Sequence, residues 1–313
     1  MKSRALGATG VRLPEVMLGT WGLSGDAYGA VTEAEQDRVI ERAYRLGIRG
    51  FDVADSYAHG GMEERLGKRL ADKSDSFIVT KIGTDRTASP VKRFDRGFLL
   101  AQVDACLERQ ERDVLDCVLL HNPSAAALQR GEATDAMKEL VDTGKLKHWG
   151  VSVGSAAIGE AALDQDAPIL MLAHNAFMDR DLAILRERVI EKRTGVLARS
   201  VLSHGLLCGQ WPPHKEFPAT DHRSARWTPD ELRRRTGQLE ALRALIGDDV
   251  LTMRSSALRY VLADPQISAM VIGPRDCTQL DQLVRESGRG APYLDEQRLK
   301  RFANRLMDVG VTR

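Results

Sequence analysis

Eight short apolar runs recur along the chain with amphipathic stretches between them, and this alternation limits the fold more than any other feature. The runs are 15–19 (EVMLG), 49–53 (RGFDV), 77–80 (FIVT), 115–120 (LDCVLL), 147–152 (KHWGVS), 169–173 (ILMLA), 195–200 (GVLARS) and 268–272 (SAMVI). Most are continuously apolar, as strands covered on both faces must be. The intervening stretches, 32–46, 62–71, 97–109, 132–142, 155–163, 180–191, 252–263 and 276–286, read as helices. In the first, TEAE is a capping-box pattern, Ala34, Val39, Ile40, Ala43 and Leu46 recur at helical spacing, and Gly47 closes the helix. Eight strand–helix units in 313 residues predict an α/β fold, a (β/α)8 TIM barrel filling residues 1–313 as one domain. An open doubly wound sheet is the alternative. Residues 3–13 read as an N-terminal β-hairpin that closes the barrel's bottom. A long loop at 203–228, an extra helix at 229–246 after strand 7 and a last helix at 295–308 lie outside the repeat.

Charge narrows the function classes. Lys plus Arg total 45 against 44 Asp plus Glu, a balance that argues against nucleic acid or a membrane surface as partner. The N-terminal MKSRALGATGVRLP has no apolar core for a signal peptide, and no run approaches the ~18 residues of a membrane span. Cys106, Cys117, Cys208 and Cys277 form no CxxC pair and read as reduced thiols of a cytoplasmic protein. His204, His214 and His222 share a loop with Cys208, but their spacing matches no metal motif, so no metal is expected.

In a barrel of this kind the reactive face lies at the C-terminal ends of the strands. Strand 2 carries Asp52, with Tyr57 just beyond in FDVADSYAHGG, strand 3 ends in Lys81, and strand 4 ends in His121. Each alone has an ordinary structural explanation; acid, phenol, amine and imidazole from three consecutive strands on one rim form a chemical set. A free phenol titrates near ~10. A neighbouring ammonium lowers that value, so Lys81 is expected to lower that of Tyr57, and Asp52 to keep Lys81 charged. His121 can donate to a carbonyl oxygen, and the set suits proton delivery during carbonyl reduction.

GTW (Gly19, Thr20, Trp21), FDVADSY (Phe51–Tyr57), VTK (Val79–Lys81), LLHNP (Leu119–Pro123) and GVS (Gly150–Ser152) follow one another in an order that resembles the aldo-keto reductases, over almost the whole chain. The resemblance implies a catalytic tetrad of Asp52, Tyr57, Lys81 and His121, with Tyr57 the general acid. It implies NADP(H) extended across the barrel mouth; no GxGxxG follows a strand, so a Rossmann site is not expected. By resemblance Gly19, Thr20, Trp21, Asp52 and Ser152 adjoin the cofactor's nicotinamide end, and Ser200, Leu202, Gly205 and Leu206 form the pyrophosphate turn. Gly273 and Arg275 fall after strand 8 at a helix N-terminus suited to anions; by resemblance Arg275 meets the 2′-phosphate and Gln279 lies near the adenine.

The sequence departs from the family at three nicotinamide positions. Val153 stands where Asn is common, Met171 or Leu172 where Gln is common, and Arg199 where an aromatic often stacks on the ring. A flat guanidinium can stack in its place, and Asn175 is a candidate substitute for the missing amide. Loops 21–30, 82–95 and 203–228 are expected to wall the substrate pocket, with Trp21, Tyr28, Trp211 and Trp227 as apolar candidates and His59, His121 and Asn122 as polar ones. The expected partner is a small-molecule carbonyl compound, a sugar or secondary metabolite among the options. Two rival readings stay open: an NADP(H)-binding sensor subunit acting through a protein, and a lyase or isomerase using Lys81 as a Schiff base.

Overall fold

The computed structural model describes residues 1–87, 89–288 and 290–311. Residue 88 of the expected 82–95 loop, and residues 289, 312 and 313 of the expected 1–313 unit, lie outside the described residues. Eight parallel strands close into a barrel: β1 (Val16–Gly19), β2 (Gly50–Asp52), β3 (Phe77–Ile82), β4 (Leu115–His121), β5 (Leu146–Ser152), β6 (Ile169–Ala173), β7 (Gly195–Arg199) and β8 (Ile267–Ile272). Each pairs with its neighbour in sequence, and β8 closes on β1. The eight strands answer the eight apolar runs, and the closed ring excludes the open sheet.

Strand alternation sorts side chains into two cores. Outward residues such as Leu18, Phe51, Ile78, Val118 and Val151 pack under the surrounding helices. Inward residues, among them Met17, Val79, Leu119, Met171, Leu197 and Ala269, fill the barrel. Two positions after an inward residue the chain again faces inward, now at the strand's C-terminal end. That period places Gly19 after Met17, Lys81 after Val79, His121 after Leu119, Arg199 after Leu197 and Val271 after Ala269. Register aligns the ends: Gly19 opposes Asp52, Asp52 opposes Val79, and His121 opposes Ser152.

The first helix is α1 (Glu33–Arg45), with the Thr32 side chain accepting from Glu35 N. The capping box is incomplete: the Glu35 carboxylate turns to Arg38 and to the backbone N of Cys277. Six further barrel helices are α2 (Gly61–Leu70), α3 (Arg96–Gln110), α4 (Glu132–Asp142), α5 (Ala156–Asp164), α6 (Arg180–Glu191) and α7 (Met253–Ala263), and α8 (Cys277–Glu286) follows β8. The extra helix after β7 is divided, an α-helix Pro229–Gln238 running into a 3-10 turn Leu239–Leu245, and the last helix is Glu296–Asp308. Small elements escaped the periodicity, among them a helix Ala125–Gln129, strands Thr84–Asp85 and Val91–Lys92, which pair as a hairpin inside the 82–95 loop, and short 3-10 segments at Tyr57–Gly60, Ser203–Cys208 and His222–Ala225.

The predicted N-terminal hairpin is formed by Ser3–Ala5 and Arg12–Pro14. Leu6 and Leu13 plug the barrel interior from below. Arg4 is bonded to the carbonyls of Leu262, Asp264 and Ile267 and to the Glu15 carboxylate.

Candidate active site

A cavity of about 1050 Å³ opens at the C-terminal ends of the strands. At its floor lies the pair of Asp52 and Lys81, 5% and 2% exposed, with Lys81 Nζ 2.5 Å from Asp52 Oδ1. The contact is an ion pair rather than an aligned hydrogen bond; Lys81 Nζ also donates to Val53 O at 2.7 Å. Burial pushes the Asp52 carboxyl up, while the Lys81 ammonium draws it down. Burial alone would lower Lys81, but Asp52 and Tyr57 outweigh it, and its value is raised. For the carboxyl burial is the larger influence and its value stays raised, while Lys81 keeps its charge and the 2.5 Å contact joins the two as a pair.

Tyr57 stands where the chain leaves β2. Its N–H donates to Ala54 O, and the next three residues, Ala58, His59 and Gly60, have φ of 50°, 54° and 94°. A non-glycine pair in the left-handed region is uncommon and strained. Asp26 helps hold it by accepting from Ala58 N at 3.0 Å. Of the two glycines in the motif, Gly60 makes the turn, while Gly61 starts α2 with φ −59°. The Tyr57 hydroxyl is 3.5 Å from Lys81 Nζ.

The expected direction of the Tyr57 shift is corrected by the structure. Lys81 does pull the phenol down, but burial is the larger influence and Asp52 adds to it, so the value is raised. The phenol is therefore firmly protonated at neutral pH. His121 is pushed well below its ordinary value by burial, then by Lys81 and Lys92, and is neutral. Its Nδ1 is buried with no hydrogen-bond partner.

Ser152 and Asn122 meet beside His121, Ser152 Oγ donating to Asn122 Oδ1 at 3.3 Å. Gly19, Trp21, Ser200, Leu202, Gly205, Gly273, Arg275 and Gln279 line the same cavity, as do the expected wall residues Tyr28, His59 and Trp211. Trp21 stacks on Tyr57 at 6.5 Å between ring centroids. Three expected residues are placed elsewhere. The Thr20 side chain is fully buried and donates to Asp52 O, so it braces the floor. Leu206 packs into the core under the extra helix. Trp227 backs the wall through Trp211, 5.8 Å away.

The residues that depart from the family at the expected nicotinamide end have definite places. Asn175 is fully buried and does not line the cavity: Nδ2 donates to Ser200 O in the turn after β7, and Oδ1 accepts from Phe177 N in the turn after β6. Met171 faces the barrel interior and Leu172 the helices. Arg199 enters the cavity, donating to Val153 O at 3.1 Å.

At the far end Arg275 donates to Gly29 O and Ala30 O at 2.9 and 3.1 Å, and its buried Nε has no acceptor. The α8 N-terminus is not an open anion site. Asp276 caps it, accepting from Gln279 N, and Glu35 accepts from Cys277 N. The Arg275 guanidinium is the cation at that end, and a side chain built on Gly273 would meet no atom within 4 Å, leaving room for a ligand. A long cleft with a cation at one end and a proton-donating set at the other fits an extended nicotinamide dinucleotide.

Sequence reasoning assigned no role to Asp55, Asp26, Arg86 or Arg226. Asp55 lies inside the FDVADSY motif, and burial, then the Glu63 carboxylate, pushes it up to about 7. Glu63 accepts from Thr80, Arg109 and Gln110. Asp26, Arg86 and Arg226 line the cavity from three loops, and nothing local to those loops signals their convergence. Among the described residues no group of three or more His, Cys, Asp or Glu side chains could hold a metal, and no helix is long and apolar enough to cross a membrane.

Comparison with known proteins agrees with this architecture. The aldo/keto reductase family profile matches residues 15–297. The chain is 28% identical over 298 residues to L-galactose dehydrogenase of Arabidopsis thaliana, covering 90% of this chain and 86% of that protein. It is 26% identical over 307 residues to L-glyceraldehyde 3-phosphate reductase of Escherichia coli K12, covering 91% and 87%. The glycerol dehydrogenase structure from Gluconobacter oxydans superposes with a TM-score of 0.85 at 22% identity, over 99% of this chain and 97% of that one. With a family profile that runs from β1 into the last helix and a barrel of the same shape, the chain belongs to the aldo/keto reductase family and is an oxidoreductase.

Proposed function

We propose that this oxidoreductase, acting as one barrel unit in the cytoplasm, interconverts an aldehyde or ketone and its alcohol with NADP(H), Tyr57 serving as general acid. The observation that carries the reading is the Tyr57 hydroxyl beside Lys81, itself paired with Asp52, in a cavity where His121 Nδ1 is unpartnered. The reduced nicotinamide supplies the hydride when bound. Tyr57, held protonated by burial, delivers the proton to the carbonyl oxygen. Lys81 stabilises the phenolate left behind, and Asp52 keeps Lys81 charged. Neutral His121 orients the carbonyl by a hydrogen bond. Gly19, Trp21, Ser152 and the turn Ser200–Gly205 seat the cofactor, and Arg275 favours a 2′-phosphate. Trp21, Tyr28, Asn122 and Trp211 frame the substrate. The relatives named for L-galactose and L-glyceraldehyde 3-phosphate favour a polyhydroxylated carbonyl compound.

A panel of aldehydes and ketones, followed by NADPH consumption, tests this. Turnover of at least one, lost in Tyr57→Phe, is expected. Tight NADPH binding with no carbonyl reduced would favour the sensor reading instead.

A further inference from the structure

The proton chemistry above uses Asp52, Tyr57, Lys81 and His121 and leaves Arg199 idle. Arg199 ends β7, with its side chain in the cavity. Its hydrogen-bond acceptors are neutral: Val153 O at 3.1 Å and Ser200 Oγ at 3.4 Å. Among the described residues no carboxylate forms a salt bridge with it. Burial lowers its value from the ordinary arginine range, the mark of a cation held where water is scarce. Its field reaches the whole reaction end, since Tyr57, Asp52 and His121 are each drawn down by it. Within the proton-transfer set the charges cancel: Lys81 and Asp52 offset one another, and His121 and Tyr57 are neutral. Arg199 adds a positive charge beside that set, in a cavity that Arg226 also lines, and the field of Asp181 opposes it without a salt bridge.

A hydride donor must lie in contact with the carbonyl that Tyr57 protonates, within ~3–3.5 Å of the reacting carbon. Its ring therefore sits inside the field that Tyr57, Asp52 and His121 feel. That ring is neutral when reduced and cationic when oxidised. Building on the cofactor reading above, we propose that Arg199 discriminates between the two redox states, holding the reduced cofactor more tightly and biasing the bound centre toward alcohol oxidation. Two cations a few ångströms apart in a partly desolvated site repel by enough to change an equilibrium roughly ten- to a hundredfold. By thermodynamic linkage the same factor enters the on-enzyme equilibrium. In the favoured direction the Tyr57 phenol first releases its proton to solvent, the alcohol then loses one hydride to the oxidised cofactor and one proton to the Tyr57 phenolate, and the carbonyl is left. A guanidinium serving only the cofactor's phosphates would favour both redox states alike.

Fluorescence titration without substrate separates these roles. The parent, Arg199→Lys and Arg199→Gln are each titrated with NADPH and NADP+, and folding is checked by thermal melting. The parent should bind NADPH at least roughly tenfold more tightly than NADP+. Arg199→Lys should keep most of that ratio, and Arg199→Gln should collapse it mainly by binding NADP+ better. Equal weakening of both forms in Arg199→Gln, or an unchanged ratio, overturns the proposal while leaving the cofactor reading intact. A parent that binds neither form overturns both.

Discussion

Tyr57→Phe is the most discriminating single change, because it deletes one oxygen and leaves the ring stacked near Trp21. The hydroxyl's contact with Lys81 is 3.5 Å, at the outer limit of a hydrogen bond, so its removal should alter stability by less than ~1 kcal/mol. Lys81 keeps Val53 O and Asp52 as partners. Loss of a general acid lowers rates by ~10²–10⁴-fold, which corresponds to ~2.7–5.5 kcal/mol of transition-state stabilisation. Carbonyl reduction should therefore collapse while the melting temperature and NADPH affinity hold. Lys81→Met makes the necessary contrast. It strands the Asp52 carboxylate, 5% exposed, without its cation, and breaking a buried pair in this way costs ~3–5 kcal/mol. That variant should lose both activity and thermal stability. The assays are NADPH oxidation with the best carbonyl substrate, cofactor titration by fluorescence and a melting curve. A Tyr57→Phe protein that reduces the substrate at the parent's rate would refute the role of the phenol. A fall in cofactor affinity parallel to the fall in rate would show that the hydroxyl seats the cofactor instead.

Other outcomes follow from the same geometry. Arg275→Ala should erase a ten- to hundredfold preference for NADPH over NADH, since a charge-assisted hydrogen bond is worth ~1.5–3 kcal/mol; equal affinities in the parent would sink the 2′-phosphate assignment. Asp55 is pushed up from 3.8 to about 7, so the folded state keeps a proton that the unfolded chain has released across that window, and stability falls as pH rises through it. Asp55→Asn should gain stability relative to the parent progressively from about pH 4 to about pH 7 and no further above it; a constant difference in urea midpoints over that range would contradict the assignment. EDTA should leave melting temperature and turnover unchanged, and a loss restored by zinc or magnesium would reveal a missed site among His204, His214 and His222.

The barrel was legible because most of its strands are runs of apolar residues and helices such as α1, α2 and α4 carry a clear 3.6-residue stripe. The floor of the site was legible for a related reason. Asp52, Lys81 and His121 are polar residues at inward-facing positions of strands whose neighbouring inward residues, such as Val79, Cys117 and Leu119, are apolar. The sign of the Tyr57 shift was not legible. It depends on how much water the folded mouth excludes, and burial there outweighs Lys81. Asp276 capping α8 and Glu35 crossing from α1 were equally hidden, because competition for a helix's first amides is decided by tertiary neighbours. The place of Asn175 was hidden for the same reason: its amide bonds tie the turns after β6 and β7 together.

The bottom plug carries a consequence for how the protein is made. Arg4 is secured by carbonyls at Leu262, Asp264 and Ile267, and Ala8 N donates to Arg193 O. Arg4 and Ala8 thus depend on partners synthesised some 185 to 263 positions later. Until β8 emerges and pairs with β1, the inward faces of both strands have no closed ring to fill, and the nascent chain carries exposed apolar edges of the kind that chaperones cover. A chain halted before residue 267 would keep most of its helices and strands yet lack both the β8–β1 pairing that closes the ring and the last of the carbonyls that hold Arg4.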